Sequence, residues 1–517
     1  MLNFNKLCWV DHNETETTKD VNNRIELHLI NKDDLISKVI HNGQCNEQIK
    51  CYHNKYRTAD GSCNNLINSR WGKSFECVNR LQRPVYADGK GSPKVAKSGK
   101  RLPSARLISN VQHSSNYSAS KFTHMLMQWG QFLDHDITST AMSTLKHVFD
   151  CCFQSSHECY PIEIPKDDQF FSQFKSRCMS FIRSAPCSTC NKHREQINAL
   201  TAFIDASNVY GSTDNETRTM RINDETGMLC SQRNGLLLPP PPNENDNDCS
   251  TRNHRIRFFA AGDVRVNVLP SLSALHTLFM RHHNSLCFHL KQINPHWDEE
   301  TLFQEARRIV GAQLQLITFK EFLPLVLGNE YMDKFSLKLL QSGRTTYNNS
   351  LNPTLISEFS TAAFRFGHTL INGEFHRIKS NGESQRYLLR DNFFNPNPLH
   401  FGDIDNIIRG MIGTPSQRFN PSVAEDVRNY LFKRRHEKFG LDLIAVNIQR
   451  GRDHGIPGYT VFVNLCFGIN ITSFDDLETL MTRNSAKKYS SIYESVDDID
   501  LYSGILSEQS LPDAILR

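Results

Sequence analysis

The stretch QWGQFLDHDITST, residues 128–140, sets two aspartates around a histidine directly after an apolar segment with a tryptophan. A carboxylate buried among such neighbours is costly unless it is paired or holds a metal. Taken as a helix over 121–140, the segment puts Gln131 and His135 four residues apart on one face. There they can hold a small polar ligand or pass protons. Asp134 and Asp136 fall about 100° to either side of His135, so the two acids cannot serve one ligand. Three readings stay open on these residues: a solvated surface pair, a site that binds a polar ligand and moves protons, or the adjacent His-Asp of a metal-dependent phosphohydrolase. The last needs further ligands, and His276, His282, His283, His368 and His454 are available to it.

Four more stretches carry chemistry. In LTAFIDASNVYGS, 200–212, Thr201, Phe203, Asp205 and Ser207 recur at every second residue, so in extended or looped backbone they point to one side. Their side-chain and carbonyl oxygens suit a hard cation such as calcium, with Asp136 adding a carboxylate. A half-buried strand ending at Asp205 is the other reading. In AAGDVRVN, 260–267, Arg265 follows a Gly-Asp turn. A guanidinium fixed near a histidine stabilises charge developing on oxygen, or else simply pairs with an acid. FRFGHTLING, 364–373, spaces Arg365 and His368 three apart on an apolar helix. Such a histidine is either a hydrogen-bonded core residue or a haem axial ligand. An axial ligand needs a partner on its other nitrogen. AVNIQRGRDHGIPGY, 445–459, offers Asn447 for that role and Arg450 and Arg452 as planar forks for haem carboxylates.

Helices must hold these groups. Asp298, with Glu299 and Glu300 behind it, opens a run of Leu302, Phe303, Ala306, Ile309, Val310, Leu314 and Ile317 at helical period, predicted to stop near Pro324. Residues 271–291 repeat the pattern, and alternating strand patterns are short and few. The chain of 517 residues therefore reads as mainly α, one large helical domain over 51–517 preceded by an arm or pro-segment remnant over 1–50. A net charge of +4 without a Lys/Arg-rich run gives no sign of nucleic-acid binding. The apolar stretches fall short of a membrane span. The 15 cysteines cluster in the first half, and only Cys187-Ser-Thr-Cys190 has zinc-ribbon form, without a matching second unit. Disulfides are the better reading. Sequons at Asn13, Asn116, Asn215, Asn348 and Asn470 agree with an oxidising, extracellular route. Residues 1–20 lack a signal-peptide apolar core, so Met1 is expected not to be the start of the natural precursor.

Together and in this order, the five stretches resemble the animal haem peroxidase family of the peroxidasin, myeloperoxidase and chorion-peroxidase type. YRTADGSCNNLINSRWG (56–72), LPSARLIS (102–109) and REQINALTAFIDASNVYGS (194–212) share the likeness, which covers roughly 51–512. The resemblance implies a haem-peroxidase-like helical fold and haem b as cofactor. It makes His135 the distal acid–base group, Gln131 its neighbour, Arg265 the distal arginine, and His368 the iron ligand backed by Asn447. It also implies an ester from Asp134 to a haem methyl. A calcium site follows, from Asp136, Thr201, the Phe203 carbonyl, Asp205 and Ser207. Hydrogen peroxide and a halide, thiocyanate, phenolic or tyrosyl donor would be the partners.

Two departures qualify this. The family's second ester-forming glutamate falls at Val268, and the position of myeloperoxidase's haem-bonded methionine at Leu269. At most one covalent link is therefore expected, with bromide or phenols favoured over chloride. The chain also stops where members of the family continue, so it is expected to be truncated. That would leave Cys466 unpaired and explain the odd cysteine count. Cys51–Cys63, across the YRTADGSC turn, is the expected disulfide. A catalytically weak relative acting as a matrix or interaction protein is the alternative, and an HD-type hydrolase the remote one.

Overall fold

The structure is a computed structural model that describes residues 49–52, 54–143, 150–187, 192–242, 249, 252–511 and 514–516. The expected arm over 1–50 lies outside the described residues except for its last two. Seven helices matter for the site: α1 Ala105–Gln112, α2 His124–Ile137, α3 Pro270–Ile293, α4 Glu299–Ile317, α5 Leu323–Lys334, α6 Leu443–Asp453 and α7 Leu501–Leu506. The strands among the described residues are short and pair only in twos, for instance Glu374–Ile378 with Ser384–Leu388. The expectation of a mainly α fold with few short strands holds.

One apolar cluster runs through the whole domain, from Ile108 on α1 through Phe132 on α2 and Leu272 on α3 to Ile448 on α6. Its members follow the helical period, because only one face of each helix can meet the others. On α4 the predicted face is buried at Leu302, Phe303, Ala306, Val310 and Leu314 and half-buried at Ile309 and Ile317. The predicted stop near Pro324 is wrong. The chain passes from α4 through a π-helical turn, Thr318–Phe322, straight into α5, with Pro324 in the first turn of α5. Proline is tolerated there because a first-turn N–H has no helical partner to lose. The fused path Glu299–Lys334 is long and apolar enough by length and composition to cross a membrane, which individual sequence stretches did not reveal. Gly328, at φ +75°, breaks it, and the buried face of α4 already packs on the core.

The helix expected over 121–140 is shorter. Residues Ala119–Thr123 are a strand paired with Pro415–Gln417, and α2 ends at Ile137 with Thr138 in extended backbone. Five disulfides tie the described loops: Cys51–Cys63 as expected, Cys77–Cys187, Cys151–Cys159, Cys152–Cys178 and Cys230–Cys249. Cys187 therefore pairs with Cys77 rather than with Cys190, which lies outside the described residues. Among the described residues two cysteines are outside disulfides, exposed Cys466 and buried Cys287. The sequon residues Asn116, Asn215, Asn348 and Asn470 are all exposed, while Asn13 lies outside the described residues.

Candidate active site

The first half of the site is built on α2. Phe132 is fully buried and stacks on Phe279 of α3 at 5.1 Å, which fixes the rotation of α2 about its axis. That rotation sends the three residues of the Asp-His-Asp triplet to three neighbourhoods. Asp134 is half-buried, and its Oδ1 accepts from Thr138 Oγ1 at 2.6 Å. His135 is buried, with Nδ1 3.7 Å from Asp263 Oδ1, beyond hydrogen-bond length, and without a partner. Burial first, then the Arg265 guanidinium, holds this imidazole well below its ordinary range, so it is neutral. Gln131, one turn back, accepts from Gln128 Nε2 at 3.0 Å.

Arg265 lies in a 3-10 turn, Val264–Asn267, whose N-cap is Asp263. Asp263 accepts the backbone N–H of Arg265 at 2.9 Å and clamps the guanidinium through Nε and Nη2, both at 2.8 Å. Arg265 Nη2 also donates to the Thr138 carbonyl at 2.9 Å, and Nη1 comes within 3.6 Å of Asp134 Oδ2. Asp263 thus clamps Arg265 and stands next to His135 without bonding it. The sequence reading saw it only as part of a turn, and its spacing two residues ahead of an arginine was the available signal. Val268 and Leu269, where the ester-forming residues were sought, are both buried.

The run at 200–207 is a loop, not the half-buried strand considered as its alternative. Ala206 takes φ +66° and Ser207 opens a short helix, Ser207–Tyr210. The oxygens nevertheless converge. Ser207 Oγ donates to the Asp136 carbonyl at 2.6 Å and to Asp136 Oδ1 at 3.0 Å, and Thr201 Oγ1 donates to Asp205 Oδ2 at 3.0 Å. Burial, and for Asp136 also the nearby Asp205, raises both carboxyls above their usual range. Two acids so placed call for a counter-charge. The Phe203 carbonyl accepts no hydrogen bond from described residues. The Phe203 ring seals the loop from behind, so close to Gly72 that a Cβ on Gly72 would lie 2.6 Å from it. Gly262 has a similar role: a Cβ there would meet Gly211 N and the Ser207 carbonyl at 2.3 Å. The loop and the Arg265 turn therefore pack backbone to backbone.

The second half of the site is a 3-10 helix, Ala363–Leu370, rather than the expected α-helix. Three residues per turn put Arg365 and His368 one above the other. This element packs against both α2 and α7. His368 Nδ1 lies 2.9 Å from Asn447 Nδ2 and 3.1 Å from Tyr502 Oη, and no group among the described residues bonds Nε2. Burial, then Arg365, pushes His368 down to about 3, so it too is neutral. Asn447 comes from α6, whose N-cap Asp442 accepts from Ile444 N and Ala445 N and is tied to buried Arg106 of α1 at 2.7 Å. Arg365 donates through Nη1 to Asn447 Oδ1 at 2.7 Å and through Nε to the Ser360 carbonyl. Arg450 spends Nη1 on the Ile182 carbonyl, Ser184 and Asp453, while Nη2 meets only Met142 sulfur. Arg452 is withdrawn from the site: it forms a buried pair with Asp500 at 2.7 Å. Tyr502, invisible to the sequence reading, completes this half.

The animal haem peroxidase profile matches residues 56–517. The chain belongs to the animal haem peroxidase family. It is 38% identical to peroxidasin of Drosophila melanogaster over 95% of its length, spanning 34% of that protein. It is 38% identical to mouse myeloperoxidase, covering 89% of this chain and 67% of the relative. Chorion peroxidase of Drosophila melanogaster is 35% identical over 89% of the chain and 59% of its own. The chain thus spans about one third of the peroxidasins it matches. Among solved structures, peroxidase A from Dictyostelium discoideum superposes with a TM-score of 0.74 at 28% identity, covering 90% of this chain and 88% of that one. Rice fatty acid alpha-dioxygenase shares the fold at 18% identity and a TM-score of 0.71, covering 95% and 81%. The family is one of peroxidases, oxidoreductases by class. The HD-hydrolase reading finds no ligand set: among the described residues no three His, Cys, Asp or Glu converge. Of its candidate histidines, His282 bonds Gln313, His283 bonds Tyr210 and Gly227, His454 bonds Ser184 and Thr361, and His368 bonds Asn447, while His276 is buried without a hydrogen-bond partner among the described residues.

Proposed function

We propose that the protein is a secreted haem peroxidase that reduces hydrogen peroxide and oxidises a halide, thiocyanate or phenolic donor. The observation that carries this is a neutral, buried His135 on α2, which packs against the element bearing His368, beside an Arg265 clamped by Asp263, whose Oδ1 lies 3.7 Å from His135 Nδ1. The donor set fits haem: His368 is neutral, with Nε2 unclaimed by protein, and Arg365 keeps Nη2 free of protein partners for a haem carboxylate. Arg450 can add only its Nη2 to that task. Haem, when bound, would supply the redox centre, and His368 would hold it.

The protein's part is proton and charge management. His135 turns Nδ1 toward Asp263, so Nε2 is the atom that takes the proton from one peroxide oxygen and returns it to the leaving one. Arg265, held rigid by three bonds to Asp263, offsets the charge that develops on oxygen. Gln131 lines the same helix face and binds water or halide. Asp136, Thr201, Phe203, Asp205 and Ser207 hold calcium, whose charge offsets the two acids. Asp134 keeps Oδ2 outside any hydrogen bond among the described residues and would be the carboxylate that esterifies a haem methyl, its C–H bond lost to two-electron oxidation by peroxide; Val268 cannot form a second link. The exposed sequons and the disulfides support an extracellular location.

The test is the absorption spectrum of the purified protein before and after peroxide. A Soret band that shifts on peroxide in the wild type and fails to shift in His135→Ala supports the reading. A Soret band indifferent to peroxide leaves a haem-binding interaction protein instead. The absence of a Soret band after reconstitution refutes both.

A further inference from the structure

One cleft gathers positive charge with no acid among its lining residues. It has a volume of about 540 Å³ and is lined by Gln232, Arg233, His254, Arg255, Arg257 and His400. Among the described residues no Asp or Glu pairs with Arg233, Arg255 or Arg257, whereas Arg221 takes Glu299 and Arg377 takes Asp403. Glu244, Asp246 and Asp248, in the stretch before His254, lie outside the described residues. Like charges crowded on a concave surface repel one another and focus a positive potential, which an anion from solution relieves.

The cluster is built rather than scattered. His400 is 8% exposed and stacks on buried Phe259 at 4.9 Å. Its Nε2 bonds the Arg257 carbonyl at 2.7 Å, and its own carbonyl accepts from Arg233 Nη1. One histidine thus ties down the backbone of one arginine and the side chain of another. Arg257 Nη1 is fixed further by Asn397 Oδ1 at 2.7 Å. Nε and Nη2 of both guanidiniums, and all of that of Arg255, bond no described residue. They are donors waiting for an acceptor. Two acceptors stand beside them. Burial, joined by the Arg233 and Arg257 charges, holds the His400 imidazole below its ordinary range, so it is neutral. A carbonyl only accepts, so its one proton sits on Nε2 and Nδ1 keeps a lone pair. Gln232, 7% exposed, spends Nε2 on the Leu238 carbonyl at 2.8 Å and leaves Oε1 unbonded by described residues.

We propose that this cleft binds a phosphate or sulfate monoester of a sugar. The planar forks of Arg233, Arg255 and Arg257 suit the three terminal oxygens of such an ester better than the two of a carboxylate. Gln232 Oε1 and His400 Nδ1 accept sugar hydroxyls, a task that a bare ion leaves undone. The volume falls among those of small-molecule sites, about 300–1,000 Å³. None of the six lining residues has a part in the haem reading, so the inference goes beyond it.

The experiment is isothermal titration calorimetry of the full chain with glucose 6-phosphate, a hexasaccharide sulfated at its end, and inorganic phosphate. At least one ester is expected to bind about tenfold more tightly than inorganic phosphate, the gain from two hydroxyl bonds. Tighter binding of glucose 6-phosphate assigns the cleft to a free ester, and tighter binding of the hexasaccharide to a chain end; both support the proposal. Arg255→Gln and Arg257→Gln should each weaken the preferred ester about tenfold, through loss of a charge-assisted bond. Arg255 has no side-chain partner to lose, so its variant reports even if Arg257→Gln folds poorly. Arg344→Gln combined with Arg435→Gln removes charge from exposed positions outside the cleft and should leave binding unchanged. Three results overturn the proposal: no binding of either ester, inorganic phosphate bound as tightly as the esters, or an equal loss in the Arg344 and Arg435 control. The haem reading is judged separately, by the Soret band, and survives each of them.

Discussion

Asp263→Ala is the most informative single change. The carboxylate accepts the Arg265 backbone N–H at 2.9 Å and two guanidinium N–H groups at 2.8 Å each, and Arg265 is 6% exposed. After the change only the Thr138 carbonyl at 2.9 Å and the distant Asp134 oxygen at 3.6 Å remain. A buried cation stripped of its partner costs about 3–5 kcal/mol, a large part of the roughly 5–15 kcal/mol that holds a domain together. Asp263→Asn keeps one acceptor oxygen and the shape but loses the charge, and should cost about 1.5–3 kcal/mol. The functional loss is separable from this. An Arg265 no longer fixed should slow peroxide reduction about 100- to 1,000-fold. Guanidinium unfolding gives the first quantity and stopped-flow mixing with peroxide the second. In an Arg265→Met background Asp263 has nothing left to clamp, so adding Asp263→Asn should cost clearly less than it does alone. Stability within about 1 kcal/mol of wild type for Asp263→Ala, with an unchanged peroxide rate, would refute the role assigned to Asp263.

Acid should destabilise the fold early. Burial depresses His113 and His283 to about 4 and His124 to about 3. The unfolded chain binds these protons below about 6.5, so the stabilisation is complete above that value and is lost as pH falls toward 4, roughly 2 kcal/mol per histidine by pH 5. A denaturation midpoint that stays flat from pH 7 to 5 contradicts this. Chelating calcium should lower the melting temperature, and Asp205→Asn should abolish the chelator's effect; an equal response in the variant removes Asp205 from the site. After peroxide turnover a fraction of the haem should resist acid-acetone extraction in the wild type and none in Asp134→Asn. Two ester-linked peptides on mapping would sink the single-link reading.

Much of this site was legible because it depends on local geometry. The divergence of Asp134 and Asp136 follows from the pitch of one helix, and the structure sends them to Arg265 and to the 200–207 loop. What the sequence hid is of two kinds. Some local patterns fit more than one backbone: Arg365 and His368 three apart suit an α-helix or the 3-10 helix observed, and Pro324 reads as a stop although it sits in the first turn of a new helix. Other features depend on pairings between distant residues. Arg452 looked free for a carboxylate until Asp500, 48 residues on, was seen to hold it, and Tyr502 gave no sign of reaching His368. Spacing within a motif carries no information about partners outside it.

The contact at Gly262 has a mechanical consequence. Its N–H bonds the Val209 carbonyl and that of Asp263 bonds Asn208, with no room for a Cβ between the two strands of chain. The 200–207 loop and the arginine turn are therefore one stiff body, bolted at its far end to α2 through Ser207 and Asp136. A disturbance at either end has no soft segment in which to dissipate. Removing the proposed calcium should register as a change in peroxide kinetics, and damage to the arginine clamp as weaker calcium retention.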